Sequence, residues 1–154
     1  MHDAVTVHMK APPDRIWELI ADVTNIGRFS PETFEAEWID GATAPALGAR
    51  FRGHVNRNQR GIKYWTVCEV VECVPGKGFG FDVITRGRRL NRWRYQLEPV
   101  GDGTDVTESF QLAPTFLLRL YWLFAGRGPR SRRKTNVNGM RTTLERIKAE
   151  VEGR

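Results

Sequence analysis

The stretch Thr115 to Val151 decides how the rest of the chain is read. It opens with an almost wholly apolar run, Phe116-Leu117-Leu118-Arg119-Leu120-Tyr121-Trp122-Leu123-Phe124-Ala125. It breaks at Gly126-Arg127-Gly128-Pro129 and continues through a basic patch, Arg130-Ser131-Arg132-Arg133-Lys134. It closes with Val137, Met140, Leu144, Ile147 and Val151, whose spacings of 3, 4, 3 and 4 trace one face of a helix. A helix with a single apolar stripe has to lay that stripe on something. What precedes it reads as a run of strands, so a curved sheet is expected to wrap the helix, with the functional space between them.

The strands begin at Val5–Met9. Ala11-Pro12-Pro13-Asp14 then starts a helix, with proline in the first turn and Asp14 at the positive end of the dipole. Ile16, Trp17, Leu19, Ile20 and Val23 give that helix its apolar face. Asn25-Ile26-Gly27 reads as a break and Arg28–Glu32 as a second short helix. From Phe34 to Leu112 the pattern is strand and turn: Phe34–Ile39, Ala49–Val55, Ile62–Val74, Phe79–Thr85, Asn91–Val100 and Thr104–Leu112. The turns include Asn58–Gly61, Pro75–Gly78, Arg86–Arg89 and Gly101–Gly103, which suit the antiparallel hairpins of a meander.

Alternation separates the two faces. Asn91, Trp93, Tyr95 and Leu97 are expected to face inward, and Arg92, Arg94, Gln96 and Glu98 outward. Phe51, Gly53 and Val55 are expected inside, and Arg50, Arg52 and His54 outside. Phe79, Phe81 and Val83 are read inward, as are Val106, Phe110 and Leu112, with Glu108 on the same face. In the long fourth strand Trp65, Val67 and Val71 are read inward, although Glu69 shares their parity and a bulge would change it.

The order of one strand, two helices, six strands and a long last helix resembles the START/Bet v 1-like (SRPBCC) superfamily, whose bacterial members are often labelled polyketide cyclase/dehydrase-like. The matching words are Ala11-Pro12-Pro13-Asp14-Arg15-Ile16-Trp17, Phe29-Ser30-Pro31, Val70–Gly76, Gly103–Phe110 and Gly139–Lys148. The resemblance implies an α+β helix-grip fold over residues 1–154 as one domain, in which a curved seven-stranded antiparallel sheet grips the C-terminal helix. It also implies an apolar cavity for a lipid, polyketide or similar ligand. It does not imply one activity, since relatives include carriers, receptors and cyclases.

Composition bounds the remaining choices. The chain has 154 residues, 40% of them apolar and 27% charged, the balance of a soluble globular domain. A net charge of +6 favours anionic partners without naming one. The N-terminus lacks the pattern of a signal peptide, and the run 116–125 is shorter than a bilayer requires, so a cytoplasmic protein is expected. Cys68 and Cys73 lie five apart in one strand, which predicts opposite faces and no mutual disulfide. No catalytic signature or metal-ligand spacing is present, and neither a cofactor nor a metal is expected.

The candidate ligand-binding residues are Phe51, Trp65, Phe81, Trp93, Tyr95, Glu108, Phe110, Leu120, Phe124 and Met140. Gly53 and Gly139 are expected to leave room beside them. Aromatics on an inner sheet face usually fill core, yet a cradle this aromatic also suits a flat apolar ligand. Glu108, Tyr95 and Asn91 are the polar exceptions, read either as a structural group, as a ligand anchor, or as acid/base groups in a cyclase. The basic run, with Arg50, Arg52, Arg92 and Arg94 added, is read as a solvated face. Beside the apolar run it also suggests a lid over 116–134 that touches an anionic membrane. Nucleic acid is disfavoured, for want of a motif or an exposed aromatic platform. Oligomeric state is not set by any feature of the sequence. The favoured reading is a binding or transfer protein for a hydrophobic small molecule, with a polyketide cyclase/aromatase as the alternative.

Overall fold

A computed structural model describes residues 2–56, 62–113 and 129–153, with the backbone alone for 129–133. The elements are β1 (His2–Met9), α1 (Pro13–Ala21), a 3-10 turn (Val23–Asn25), α2 (Ile26–Phe29), β2 (Thr33–Ile39), β3 (Arg50–Asn56), β4 (Lys63–Val74), β5 (Gly78–Thr85), β6 (Arg88–Val100), β7 (Gly103–Leu112) and α3 (Pro129–Val151). The seven strands form one antiparallel sheet in the order β1-β7-β6-β5-β4-β3-β2. Because β1 and β2 lie at opposite edges, α1 and α2 must carry the chain from one edge to the other. The fold is the expected helix grip.

Three register shifts, between Thr33 and Glu35, Val70 and Glu72, and Val83 and Ile84, interrupt the ladders. An extra residue on one strand bends it and sharpens its twist, which is how a flat sheet becomes a wrap. Against the concave face lies the stripe of α3: Met140, Leu144, Ile147 and Val151 are buried and Val137 packs at their edge. Each such aliphatic contributes about 1.5–3 kcal/mol through its removal from water. The far end of α3 is pinned by polar contacts. Lys148 Nζ donates to the His8 carbonyl at 2.9 Å, the Lys10 amide to Glu152 Oε2 at 2.9 Å, and Arg146 to the Phe29 carbonyl at 3.3 Å.

Close packing also fixes the start of β7. A Cβ on Gly103 would sit 2.0 Å from the Met9 carbonyl oxygen, so no larger residue fits where β1 leaves the sheet. Trp17 anchors α1 on the sheet through an indole N–H donated to the Gly78 carbonyl at 2.8 Å.

Several expectations need correction. The second helix is earlier than read: Ile26 and Gly27 are helical, while Ser30 is already extended and its hydroxyl accepts from the amides of Glu32 and Thr33. The β5–β6 turn is only Arg86-Gly87, both with positive φ, so Arg88 and Arg89 belong to β6. In β4 the inward residues are the even ones, Thr66, Cys68 and Val70, before the bulge. The bulge then brings Cys73 opposite Phe79, on the same face as Cys68; both cysteines are free thiols. The arginines of the outer face do not form a basic patch. Arg50 pairs with Glu69, Arg52 with Glu37, Arg94 with Glu72 at 2.8 Å, and Arg92 holds both oxygens of Asp82 at 2.6 and 3.0 Å.

The expectations for Leu120, Phe124 and the lid over 116–134 lie outside the described residues, apart from the helical backbone from 129 and the exposed Lys134. Among the described residues no helix is long and apolar enough to cross a membrane.

Two outcomes test this architecture. Leu144→Ala should lower the unfolding free energy by about 2–5 kcal/mol in urea titrations, because Leu144 is wholly buried at the grip. His8 is held between Asp105 (2.7 Å) and Asp102 (3.0 Å), which together raise its pKa above 6.5. A raised cation stabilises the fold below pH 6.5 and loses that effect as pH climbs through the folded value. The stability advantage of wild type over His8→Gln should therefore be largest below pH 6.5 and shrink above it.

Candidate functional site

Between the concave face and α3 lies a cavity of about 210 Å³. Its floor is aromatic because inward positions of adjacent strands fall side by side. Phe81 stands opposite Trp93, and Trp93 opposite Phe110, in the strand register. The rings meet edge-on or tilted: Phe51 and Phe81 at 5.0 Å, Trp93 and Phe110 at 4.8 Å. The roof is the α3 face carrying Asn136, Gly139, Met140, Thr143 and Ile147. One end is closed by Leu19, Ile20, Ile26, Phe29 and Pro31 from the α1–α2 crossover. Gly53 and Gly139 both border the space. A Cβ at Gly139 would meet only Pro31, at 3.9 Å.

Some of the buried polar atoms on this wall are incompletely bonded among the described residues. Glu108 is 4% exposed and stands directly opposite Tyr95 in the β6–β7 register. The Tyr95 hydroxyl donates to Glu108 Oε1 at 2.9 Å, while Glu108 Oε2 is buried with no partner among the described residues. Burial pushes the Glu108 carboxyl from its ordinary 4.5 up to about 8, because charge is costly away from water; the Tyr95 bond only partly opposes this. Tyr95 is itself raised well above 10, first by burial and then by its carboxyl neighbour. Asn91 Oδ1 and Asn136 Nδ2 are likewise buried and unpaired among the described residues. Four residues of strand separate Asn91 from Tyr95, about 13 Å along β6. Along β6 the cavity wall therefore carries the carboxyl–phenol pair and, apart from it, the Asn91 amide, with Trp93 between them.

Of the residues singled out from the sequence, Phe51, Phe81, Asn91, Trp93, Tyr95, Glu108, Phe110 and Met140 border this one space. Trp65 does not. It is 42% exposed on the outer face, stacked on His54 at 4.2 Å and 11° with the Arg52 guanidinium 4.2 Å over its ring. Thr66 takes the inward place beside Gly53, which also resolves the inward carboxylate that Glu69 would have been. The outer face thus carries an exposed strip, Phe34–His54–Trp65, that the sequence reading lacked. Glu35 and Glu37 flank it and pair with His54 and Arg52, and the Lys63 ammonium lies 5.2 Å from the centre of the Phe34 ring.

Three groups of lining residues escaped the sequence reading. Tyr64, Thr66 and Cys68 were hidden by the parity of β4. The α1–α2 crossover contributes through topology alone. Asn136 had a legible signal: it stands four residues before Met140, on the apolar stripe itself. Among the described residues no group of acidic, histidine or cysteine side chains is arranged to hold a metal.

The Glu108 environment has a measurable consequence. Between pH 4.5 and 8 the folded carboxyl holds a proton that the unfolded chain releases, so stability falls as pH rises through that window. Glu108→Gln removes this term, and in urea titrations the variant should gain stability relative to wild type as pH goes from 4.5 to 8, then hold a constant difference.

Comparison with known proteins places this geometry. The chain superposes on the polyketide cyclase-like protein of Corynebacterium glutamicum with a TM-score of 0.66 and 28% identity, over 98% of this chain and 91% of that one. A protein of Chromobacterium violaceum aligns at a TM-score of 0.71 with 16% identity, over 98% and 97% of the two chains. The di-domain ARO/CYC protein of the steffimycin biosynthetic pathway aligns at 0.76 with 13% identity over 99% of this chain and 51% of that one, so this chain spans about half of it. These last two likenesses are of fold. No curated protein matches the sequence. The family described as polyketide cyclase/dehydrase and lipid transport matches residues 3–152, and the chain belongs to that family.

Proposed function

We propose that the protein binds a hydrophobic small molecule in the cavity between sheet and α3, and holds or transfers it without needing to change it. The observation that carries this reading is the wall itself, an aromatic floor with a smaller set of polar groups, several of whose buried atoms are unpaired among the described residues. An interior built only for stability would close on itself, because unfilled space and unbonded polar atoms both cost free energy. A small-molecule site has the opposite character: apolar lining with a few placed polar groups. The family's description, which joins cyclase/dehydrase activity and lipid transport, fits a shared cavity put to different uses.

A second reading is a cyclase/aromatase that steers a poly-β-keto chain in the same space. The Glu108–Tyr95 pair favours it, because a carboxyl with a pKa of about 8 can give or take a proton near neutral pH. The fold of the steffimycin-pathway protein is consistent with this reading, at 13% identity.

Native mass spectrometry of the purified protein should detect a co-purified organic ligand that is lost on denaturation. Titration with the neutral fluorophore prodan should give a blue-shifted, saturable signal. Gly139→Leu fills the roof of the cavity and replaces a poor helix former by a good one. It should abolish the prodan signal while leaving the melting temperature equal or higher. Prodan binding unchanged in a folded Gly139→Leu variant would refute the cavity as the site.

A further inference from the structure

Charge on the sheet is unevenly neutralised. Arg50, Arg52, Arg92 and Arg94 each meet a carboxylate from a neighbouring strand. The cations at one end of the sheet do not. Arg86 and Arg88 stand exposed at the β5–β6 turn, Arg89 is half-buried beside them, and Lys63 is exposed at the start of β4. None of the four has an ion pair among the described residues. Register brings them together. Val67 of β4 pairs with Ile84 of β5, and Thr85 of β5 with Arg88 of β6. Two residues further along the same register, Trp65 comes level with Arg86.

The same end carries apolar surface in water. Ile62 is 77% exposed, Tyr64 38% and Trp65 42%, with Lys63 exposed between them. Alternation along a strand hides every second residue where the sheet is covered on one face. Four exposed residues in succession mean that this end of β4 projects past the cover. Phe34, 41% exposed, extends the apolar strip across His54.

Bare cations beside exposed aliphatic and aromatic groups match a layer that sets anionic headgroups above hydrocarbon. Arginine and lysine meet the phosphates, and tryptophan and tyrosine settle at the boundary. A single-stranded nucleic acid fits less well, because bases stack on open ring faces. Here the rings are already engaged: His54 stacks on Trp65 at 4.2 Å, the Arg52 guanidinium lies 4.2 Å over the same ring, and the Lys63 ammonium lies 5.2 Å from the centre of Phe34.

We propose that the start of β4 and the β5–β6 turn form a docking site for an anionic phospholipid surface. Arg86, Arg88, Arg89 and Lys63 hold the headgroup phosphates while Ile62, Tyr64 and Trp65 enter the interface. Tyr64 also borders the cavity, so docking sets the lipid layer beside that end of it. The site stands on its own surface and does not depend on what the cavity holds.

Co-sedimentation of the full chain with two kinds of vesicle tests this: phosphatidylcholine alone, and phosphatidylcholine mixed with phosphatidylserine. The chain should pellet with the mixed vesicles, stay in solution with the neutral ones, and be released as added salt screens the contact. Arg86→Gln/Arg88→Gln/Arg89→Gln removes no ion pair, should keep the melting temperature, and should weaken binding on the order of a hundredfold. Ile62→Ser should weaken it roughly tenfold, a loss that charge attraction alone does not produce. Arg15→Gln/Lys77→Gln/Arg141→Gln takes the same charge from exposed positions elsewhere and should bind like wild type. Vesicle binding that survives the turn variant or Ile62→Ser, or that falls equally in the control, would overturn the proposal. So would tighter binding to a single-stranded oligonucleotide than to the mixed vesicles, which would assign the patch to nucleic acid. Prodan reads the cavity and should bind the turn variant as it binds wild type, so failure at the vesicle leaves the cavity reading standing.

Discussion

Everything in this molecule depends on the fit between a sheet that curves and a helix with one apolar stripe. Neither is stable alone. The sheet would expose Phe51, Phe79, Val106 and their neighbours, and α3 would expose Met140, Leu144, Ile147 and Val151. The bulges in β2, β4 and β6 give the sheet its curvature, and the curvature leaves more room than the side chains fill. Tight contact is confined to the C-terminal half of the helix, where Lys148 and the Glu152 carboxylate tie it to β1. Further toward its N-terminal end, Gly139 and Asn136 face open space. Core and cavity are therefore parts of one interface, divided by how closely the helix approaches the sheet.

The same division governs electrostatics. On the convex side, charge meets charge: the arginines of β3 and β6 pair with carboxylates of β2, β4 and β5, and the more exposed of these pairs, Arg50–Glu69 and Arg52–Glu37, add little stability. On the concave side the partner of Glu108 among the described residues is Tyr95. Burial raises the pKa of the acid to about 8. A protein with a strongly basic total charge thus has an interior wall with no basic group among the described residues, and the total says little about what the interior selects.

Much of this was legible in the sequence. The 3-4 spacing from Val137 to Val151 and the strict alternation of β3, β5, β6 and β7 assign faces because helix and strand periods are set by backbone geometry alone. That is why Glu108, Tyr95 and Asn91 were identifiable as inward polar exceptions, and why the fold followed from the order of elements. β4 failed the same test because apolar Trp65 and Val67 stand on its outer face ahead of the bulge, so local alternation pointed the wrong way, and the bulge then shifts parity after Val70. Trp65 is tolerated outside because His54 and Arg52 cover its faces, an arrangement that requires three residues from two strands.

The sequence by itself thus determined the architecture and the identity of the buried carboxyl, since both rest on periodicity and polarity along one chain. Tertiary structure alone decided the surroundings of that carboxyl. Register placed Tyr95 opposite Glu108 and left Oε2 unpaired among the described residues, topology swept the α1–α2 crossover over one end of the cavity, and pairing neutralised the outer arginines. Each of these is a relation between residues far apart in sequence. Hydrogen bonding and desolvation act through space, so neither composition nor local pattern encodes them.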